Sequence, residues 1–142
     1  MPPKLSRSIL GNVAKLLIID QDDKHLLMYR SEHPYFGIDP DLPGGTVEEG
    51  ESMLETMIRE VQEEAGIIID ANDATELYSG ADYSWHGTHY SLFTTKATVR
   101  PDVVMSWEHS SYEWIDREDF LEKSKNAKDT YMHMVHDVLN RA

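Results

Sequence analysis

Residues 44 to 67 read GGTVEEGESMLETMIREVQEEAGI, and the local structure of this stretch is the most clearly predicted in the chain. Residues 52–65 contain no proline or glycine and are rich in Glu, Met, Leu and Ala, which predicts a helix. Ser52 is the expected N-cap, and Glu55 is the expected partner in a capping box. Gly66 stands where a helix needs a left-handed C-terminal residue. The stretch therefore predicts a well-bounded helix that follows a glycine-containing loop.

The predicted helix has an apolar face and an acidic face beside it. At about 100° per residue, one arc holds the apolar side chains of Leu54, Met57, Ile58, Val61 and Ala65. Residues spaced three and four apart are neighbours on a helix surface, so Glu60, Glu63 and Glu64 share the adjacent arc. We therefore expect three carboxylates at the edge of the buried face, on the rim of a cleft.

Clustered carboxylates of this kind indicate a site for a hard divalent cation. Like charges held close together repel each other, and a bound cation removes that cost. Oxygen ligands suit Mg²⁺ or Mn²⁺, and Mg²⁺ completes its shell with water and substrate phosphates. Arg59 lies four residues from both Glu55 and Glu63, and we expect it to orient carboxylates rather than to contact substrate. Gly44 and Gly45 would let the backbone approach the metal or the phosphates closely.

The alternative is an acidic amphipathic helix whose glutamates simply face water. For any one glutamate of the helix, this interpretation is the better one. For the whole spaced set it is the poorer one, because every position fits one pattern. An EF-hand calcium loop is not supported, since the alternating Asp and Asn ligands of that loop are missing.

The stretch resembles the Nudix box, the signature of the Nudix hydrolases, in the spaced pattern Gly45-x5-Glu51-x7-Arg59-Glu60-Val61-x-Glu63-Glu64-x-Gly66-Ile67. That family cleaves nucleoside diphosphates linked to another group and uses divalent metal. The resemblance implies an α/β fold of the Nudix type, an α/β/α sandwich with a mixed β-sheet between helices. It also implies a single domain over residues 1–142. Periodicity alone does not predict this topology.

The resemblance also implies roles for single residues. The metal ligands that it implies are the carbonyl of Gly44 and the carboxylates of Glu60, Glu63 and Glu64. The structural positions that it implies are Gly45, Glu51 and Gly66. Among these, Glu51 would pair with Arg59 and so support the geometry between the loop and the helix.

Composition limits the classes of function. The chain has 142 residues, 40% of them hydrophobic, which suits one domain with a core, preceded by a short mobile lead over residues 1–8. A net charge of −13 argues against binding to nucleic-acid duplexes and anionic membranes, because both are polyanions. The absence of cysteine excludes disulfides, zinc–thiolate sites and thiol nucleophiles. Since no apolar run is long enough to span a bilayer and no secretory pattern is present, a cytoplasmic location is expected.

The rest of the chain predicts further strands and two more helices. The strands are expected over residues 13–19, 25–30, 67–69, 77–83, 89–96 and 112–115, the first two as a hairpin. The helices are expected over residues 116–123, with Asp116 as the cap, and 131–139. Residues 31–41 are expected to be irregular, and residues 99–106 are ambiguous.

Glu108 is the best candidate for a fourth acidic group at the site. In several members of the resembled family, a loop glutamate near this point binds metal or acts as general base. The alternative is a surface glutamate before a strand, and Asp102 is a weaker rival. The candidate catalytic residues are Glu60, Glu63, Glu108 and Arg59.

Several aromatic side chains could stack on a nucleobase, which is a sequence-tolerant interaction. The candidates are Tyr35, Phe36, Tyr83, Trp85 and Tyr90. For any one of them, ordinary packing is the competing interpretation. Members of the family that act on diadenosine polyphosphates tend to carry a tyrosine at about the position of Tyr83. Arg30 and Lys15 would either contact phosphate or only flank the sheet.

The sequence therefore favours a metal-dependent hydrolase that cleaves a pyrophosphate bond in a nucleoside diphosphate-linked substrate. That substrate would be a small nucleotide, of the nucleoside triphosphate or the dinucleoside polyphosphate type. The alternative is a Nudix-fold module that binds a nucleotide as a sensor and does not hydrolyse it. Oligomeric state is left open, with a homodimer as one option because many relatives are homodimers.

Overall fold

The computed structural model describes residues 11–84 and 86–141. The expected mobile lead over residues 1–8 and the aromatic candidate Trp85 lie outside this part of the chain. In chain order, the strands are β1 (Asn12–Ile19), β2 (His25–Arg30), β3 (Pro40–Asp41), β4 (Gly44–Thr46), β5 (Thr75–Gly80), β6 (His89–Lys96) and β7 (His109–Ile115). The helices are α1 (Met53–Ala65), α2 (Arg117–Lys125) and α3 (Thr130–Arg141), with a 3-10 turn at Ala71–Asp73.

The described strands form one mixed sheet with β1 near its centre. β1 pairs in parallel with β6 along its whole length, from Asn12↔His89 to Ile19↔Lys96. On its other edge β1 pairs antiparallel with β2 at Ile19↔His25, which confirms the predicted hairpin. β7 and β5 add antiparallel partners to β2 and β6. The sheet is therefore both parallel and antiparallel, as expected.

β1 and β2 diverge beyond their hairpin, and the chain from Pro40 to Thr46 lies between them. β4 pairs with the first half of β1, at Val13↔Thr46 and Lys15↔Gly44. β3 pairs instead with β2, at Met28↔Asp41. The short segment between β3 and β4 thus crosses from β2 to β1, in the gap where these two strands separate.

Helices cover both faces of the sheet, which confirms the α/β/α sandwich. Side chains alternate along a strand, so successive residues of β1 serve opposite layers. On one face Leu16 and Ile18 pack with Met57 and Val61 of α1. On the other face Leu17 packs in a cluster with residues of α2 and α3, Phe120 and Tyr131 among them. None of the helices in the described chain has the length and apolar character needed to cross a bilayer.

Helix α1 begins and ends as its sequence predicts. The Ser52 hydroxyl accepts a hydrogen bond from the Glu55 amide at 3.1 Å, and the Glu55 carboxylate accepts one from the Ser52 amide at 2.9 Å. Gly66 closes the helix with φ 68°, in the left-handed region that favours glycine. These caps fix where α1 begins and ends, while the packing of Met57, Val61 and Ala65 against the sheet sets which of its faces is buried.

The strand predicted over residues 67–69 is wrong. Ile67 is buried, but Ile68 is 79% exposed and the segment belongs to no ladder. Residues 101–106 also have no strand structure. Within them, the amides of Val104 and Ser106 donate to the carbonyls of Ala65 and Glu64, the last two residues of α1. The apolar run at residues 67–69 therefore reflects packing of Ile67 into the core, not strand pairing.

Other boundaries differ by a few residues. β5 ends at Gly80 rather than at residue 83, because residues 81–84 form a turn in which the Ser84 amide donates to the Ala81 carbonyl. β7 begins at His109, three residues before the predicted strand. The last two helices lie where they were predicted, and Asp116 caps α2.

Substitution of Gly44 by alanine should lower the free energy of unfolding more than the same change at Gly50. Gly44 has φ 146°, and a Cβ there would lie 2.8 Å from the Lys15 Cα and closer still to the Ala14 carbonyl oxygen. Gly50 also has a positive φ, 86°, but nothing lies within 4 Å of the added atom. We expect Gly44→Ala to cost about 2–4 kcal/mol and Gly50→Ala about 1 kcal/mol of the free energy of unfolding. Urea denaturation of both variants tests this, and equal losses would contradict the close approach.

Candidate active site

A cleft of about 760 Å³ opens where β1 and β2 diverge. Its walls come from strands on both sides of the gap, from the β3–β4 segment, from α1, and from the loop before β7. Three glutamates of its lining, Glu60, Glu64 and Glu108, are what we call the carboxylate group; Glu32, Glu48 and Asp129 line the cleft as well. A second part, which we call the Asp41 network, consists of Asp41, Lys15, Arg30, His109 and Tyr131. Carboxylates and cations therefore share one cavity.

Glu60 lies against the backbone of β4, and glycine at position 45 makes room for it. A Cβ on Gly45 would be 2.5 Å from the carboxyl carbon of Glu60. The side chain of Glu60 is 16% exposed, and its Oε1 accepts a hydrogen bond of 2.9 Å from Arg59. Gly45 thus leaves the space that the carboxylate of Glu60 occupies, in addition to the close backbone approach that was expected of it.

Arg59 ties the loop before α1 to the helix itself. Its guanidinium donates two hydrogen bonds to the Glu51 carboxylate, at 2.7 and 2.9 Å. Glu51 also accepts from the Thr56 hydroxyl at 2.8 Å and from the Glu48 amide at 3.1 Å. The hydrogen bonds from Arg59 lower the pKa of Glu51 to about 2. Arg59 contacts carboxylates, as expected of it, but Glu55 is not among them because Glu55 caps the helix.

Glu64 is a buried carboxylate, 4% exposed, at the base of the cleft. The Gly44 amide donates to its Oε1 at 3.3 Å. Burial raises the pKa of Glu64 to about 8; Lys15 opposes this shift, while the nearby Glu108 and Asp41 charges add to it. A carboxylate in this position gains most from a cation that would let it ionise.

Glu63 does not join the cleft. Its side chain is 57% exposed and lies 3.3 Å from Arg59, on the outer side of α1. The expectation that three helix carboxylates share the cleft is therefore met by Glu60 and Glu64 only. The reason is geometric, because a helix turns by about 100° per residue and Glu63 follows Arg59 toward solvent. Glu108, which comes from the loop before β7, lines the cleft together with Glu60 and Glu64.

The donor set fits a hard divalent cation that keeps part of its shell open. Within the described chain, no three acidic or histidine side chains already converge as a closed metal site. Glu60 and Glu64 nevertheless present carboxylate oxygens to the cleft beside the backbone of Gly44. Such oxygen donors suit Mg²⁺ or Mn²⁺, which bind through one or two carboxylates and leave the other positions to water and phosphate oxygens.

Asp41 holds several cationic and polar groups of the cleft, and sequence reasoning missed it. Its carboxylate accepts from the Lys15 ammonium at 3.1 Å, from the His109 Nε2 at 2.9 Å, and from the Tyr131 hydroxyl. Arg30 lies 3.6 Å away. Burial by itself would raise the pKa of Asp41, but the surrounding Lys15, His109 and Arg30 hold it well below its usual range. One signal was present, since Lys15 interrupts the apolar run of β1 and a buried lysine needs a counter-charge.

A second cavity, of about 600 Å³, adjoins the cleft and shares Tyr90 and Asp129 with it. Tyr35 and Phe36 line this cavity, and Tyr35 is 84% exposed. The Phe36 ring lies 4.9 Å from the Arg30 guanidinium carbon. Three of the aromatic candidates are therefore brought together beside the cleft.

Tyr83 and Asp102 are placed elsewhere. The Tyr83 hydroxyl donates to Asp137 of α3 at 2.7 Å, and its ring packs edge-on against Tyr78. Neither Tyr83 nor Asp102 lines either of these two cavities. Tyr83 thus packs against the helix layer.

Comparison with known proteins shows the family to which this chain is similar. A family model described as the NUDIX domain matches residues 10–135. An ADP-ribose pyrophosphatase from Methanocaldococcus jannaschii is 42% identical over 75 residues, which cover 53% of this chain and 44% of that relative. The match thus spans less than half the length of that curated relative.

Solved structures show the same fold over nearly the whole chain. A MutT protein from Methanosarcina mazei Go1 superposes with a TM-score of 0.68 and 25% identity, covering 92% of this chain and 94% of that one. An Ap4A hydrolase from C. elegans superposes with a TM-score of 0.68 and 23% identity, covering 91% and 93%. The second likeness is one of fold alone.

The raised pKa of Glu64 makes the metal-free protein less stable as pH rises. Between about 4.5, the ordinary value, and about 8, Glu64 is protonated in the folded chain and ionised in the unfolded chain. The folded state then binds more protons, so the free energy of unfolding falls through this window, by up to about 1.4 kcal/mol per pH unit. We expect Glu64→Gln to remove this slope.

Urea denaturation in EDTA at several pH values measures this slope. The matched control is Glu76→Gln, which changes an exposed glutamate of β5. Parallel curves for the wild type and Glu64→Gln would contradict the assigned environment of Glu64.

Proposed function

Because the chain belongs to the Nudix family, we propose that it is a divalent-metal-dependent pyrophosphohydrolase acting on nucleoside diphosphate-linked substrates. The observation that carries this proposal is the shared cleft. In it, Glu60, Glu64 and Glu108 lie in one cavity with Lys15 and Arg30. A pyrophosphate group needs both kinds of partner, since cations neutralise it and carboxylates hold the metal that it requires.

Glu60, Glu64 and the Gly44 carbonyl would hold the metal, with Mg²⁺ or Mn²⁺ as the fitting ion. When bound, such an ion neutralises charge on the phosphate oxygens and polarises phosphorus. Arg59 keeps Glu60 in place through its 2.9 Å hydrogen bond. Gly45 supports the same carboxylate by leaving space for it. Glu63, on the outer side of α1, would act only through Arg59.

Glu108 is the best general base among the three carboxylate candidates. Glu63 lies outside the cleft, and Glu60 already accepts a hydrogen bond from Arg59. Glu108 is exposed and lines the cleft, so it can accept a proton from a water molecule there. That water forms a new bond to phosphorus while the bridging P–O bond breaks, and the leaving phosphate oxygen keeps the electron pair. The products are a nucleoside monophosphate and either a phosphorylated remainder or pyrophosphate.

The second cavity is the best candidate binding site for the nucleobase. Tyr35, Phe36 and Tyr90 give it aromatic walls, and base–aromatic stacking contributes about 1–3 kcal/mol per base. Arg30 lines the cleft and contacts the Phe36 ring of the second cavity, and it would contact a phosphate. Candidate substrates are nucleoside triphosphates, dinucleoside polyphosphates and, from the curated relative, ADP-ribose.

Replacement of Glu64 by glutamine should abolish most of the activity. It removes a charged oxygen donor but keeps the shape of the side chain, so kcat/KM should fall about 100-fold or more. The assay follows Mg²⁺-dependent hydrolysis of ATP, ADP-ribose and diadenosine tetraphosphate, with products resolved by chromatography. Glu76→Gln is the control and should behave as the wild type.

Unchanged turnover in Glu64→Gln would contradict the proposed role. A second outcome separates the enzyme from the sensor interpretation. Ligand-dependent thermal stabilisation of the wild type without metal, and with no product from any substrate, would favour a binding module.

Gly45→Ala should separate activity from stability. The added Cβ meets the flexible end of Glu60 at 2.5 Å, so the carboxylate can move aside while the backbone keeps its place. We expect a loss of about 1 kcal/mol in the free energy of unfolding but a fall of at least about 10-fold in kcat. Gly50→Ala is the control for kcat. If Gly45→Ala keeps full activity, the observed position of the Glu60 carboxylate is not needed for turnover.

A further inference from the structure

A short loop after β2 borders both cavities and is closed on itself. It runs from His33 to Gly37, and we call these five residues the His33 loop. Its first two residues line the cleft, and Tyr35 and Phe36 line the second cavity. The backbones of His33 and Gly37 exchange two hydrogen bonds, of 3.0 and 2.9 Å. Gly37 has φ 63°, in the left-handed region that favours glycine, so the chain can turn back at this point.

The imidazole of His33 holds the middle of the loop. Its Nδ1 accepts a hydrogen bond of 3.0 Å from the Tyr35 amide and one of 3.3 Å from the Phe36 amide. A backbone N–H can only donate, so Nδ1 carries no proton while these hydrogen bonds exist. The histidine thus does what an asparagine or aspartate side chain does in many turns, where it binds the amide two residues further along the chain.

The two amides that His33 binds belong to the two aromatic residues of the loop. The centroid of the His33 ring lies 4.8 Å from that of Phe36 and 5.8 Å from that of Tyr35. Phe36 is also held from outside the loop, since its ring lies 4.9 Å from the Arg30 guanidinium carbon. Tyr35 is 84% exposed, so its position depends mainly on the backbone that carries it. His33 fixes that backbone.

We propose that His33 is a positioning residue for nucleobase binding. By accepting from both amides, it holds the part of the loop that places Tyr35 and Phe36 along the second cavity. A loop that is already ordered loses less conformational entropy when a ligand binds. The ligand class is a planar aromatic base, because stacking needs a π face and no charge on the ligand. This inference rests on the proposed function in that the second cavity binds the base of the substrate.

The test compares AMP with ribose 5-phosphate, which lacks the base. Neither contains a pyrophosphate bond, so isothermal titration calorimetry with the full chain and Mg²⁺ measures affinity apart from turnover. The wild type should bind AMP more tightly than ribose 5-phosphate. Hydrolysis of ATP, ADP-ribose and diadenosine tetraphosphate is assayed separately. Absence of hydrolysis together with the expected binding would refute the proposed reaction and leave the role of His33 intact.

Two variants separate the acceptor of His33 from its ring. His33→Asn removes the ring but keeps an acceptor that can reach the amide of Tyr35. His33→Phe keeps a ring but has no acceptor. We expect His33→Phe to weaken AMP binding about 3-fold to 10-fold, as the loss of one hydrogen bond would, and to leave ribose 5-phosphate unchanged. His33→Asn should bind AMP within about 2-fold of the wild type.

Thermal melting of both variants reports whether they fold, and amide hydrogen exchange reports on the loop. The Tyr35 amide should exchange slowly in the wild type and in His33→Asn, and faster in His33→Phe. The proposal is overturned if the wild type binds AMP no more tightly than ribose 5-phosphate, or if both variants lose the same affinity for AMP. Unchanged AMP binding in His33→Phe would also overturn it. If His33→Phe does not fold, an unprotected Tyr35 amide in the wild type remains a refuting result.

Discussion

The close approach of β4 to β1 at Gly44 is the constraint on which the rest of the site depends. A side chain at this position would collide with the backbone of Ala14 and Lys15, so the contact exists only with glycine. Once the two backbones meet, the Gly44 amide reaches Glu64 and the neighbouring Gly45 leaves room for Glu60. The same insertion places Asp41, at the end of β3, within reach of Lys15. One backbone contact thus positions both the acidic and the basic lining of the cleft.

The cleft also solves an electrostatic problem for an acidic protein. A chain with net charge −13 repels a phosphorylated ligand at long range. Within the cleft, Lys15 and Arg30 supply fixed positive charge, and Asp41 supplies the counter-charge that allows them to be buried. Removing one partner of such a buried set is costly, because the others are left without compensation. The carboxylate group would be compensated in a different way, by a cation from solution.

The sequence-based predictions were accurate where the interactions join residues that are close in the chain, and less accurate where they join distant residues. The caps of α1 and the hairpin of β1 and β2 depend on residues close in the chain, and both were predicted. The strand at residues 67–69 was predicted wrongly, because a short apolar run indicates burial but does not show whether a neighbouring strand is available for pairing. Of the three glutamates expected in the cleft, Glu60 and Glu64 line it, whereas Glu63 lies beside Arg59, four residues earlier, and is largely exposed.

From the sequence alone, we could predict the family pattern, the bounds of α1 and the neighbouring carboxylates on it. These follow from local spacing, capping and helix periodicity, which need no knowledge of distant residues. The folded structure was needed to show that Glu108, a candidate from the sequence, lines the cleft beside Glu60 and Glu64, and that Asp41 contacts Lys15, Arg30 and His109. The physical reason is that buried charges are paired across strands, and the divergence of β1 and β2 that makes those pairs neighbours is set by long-range backbone packing.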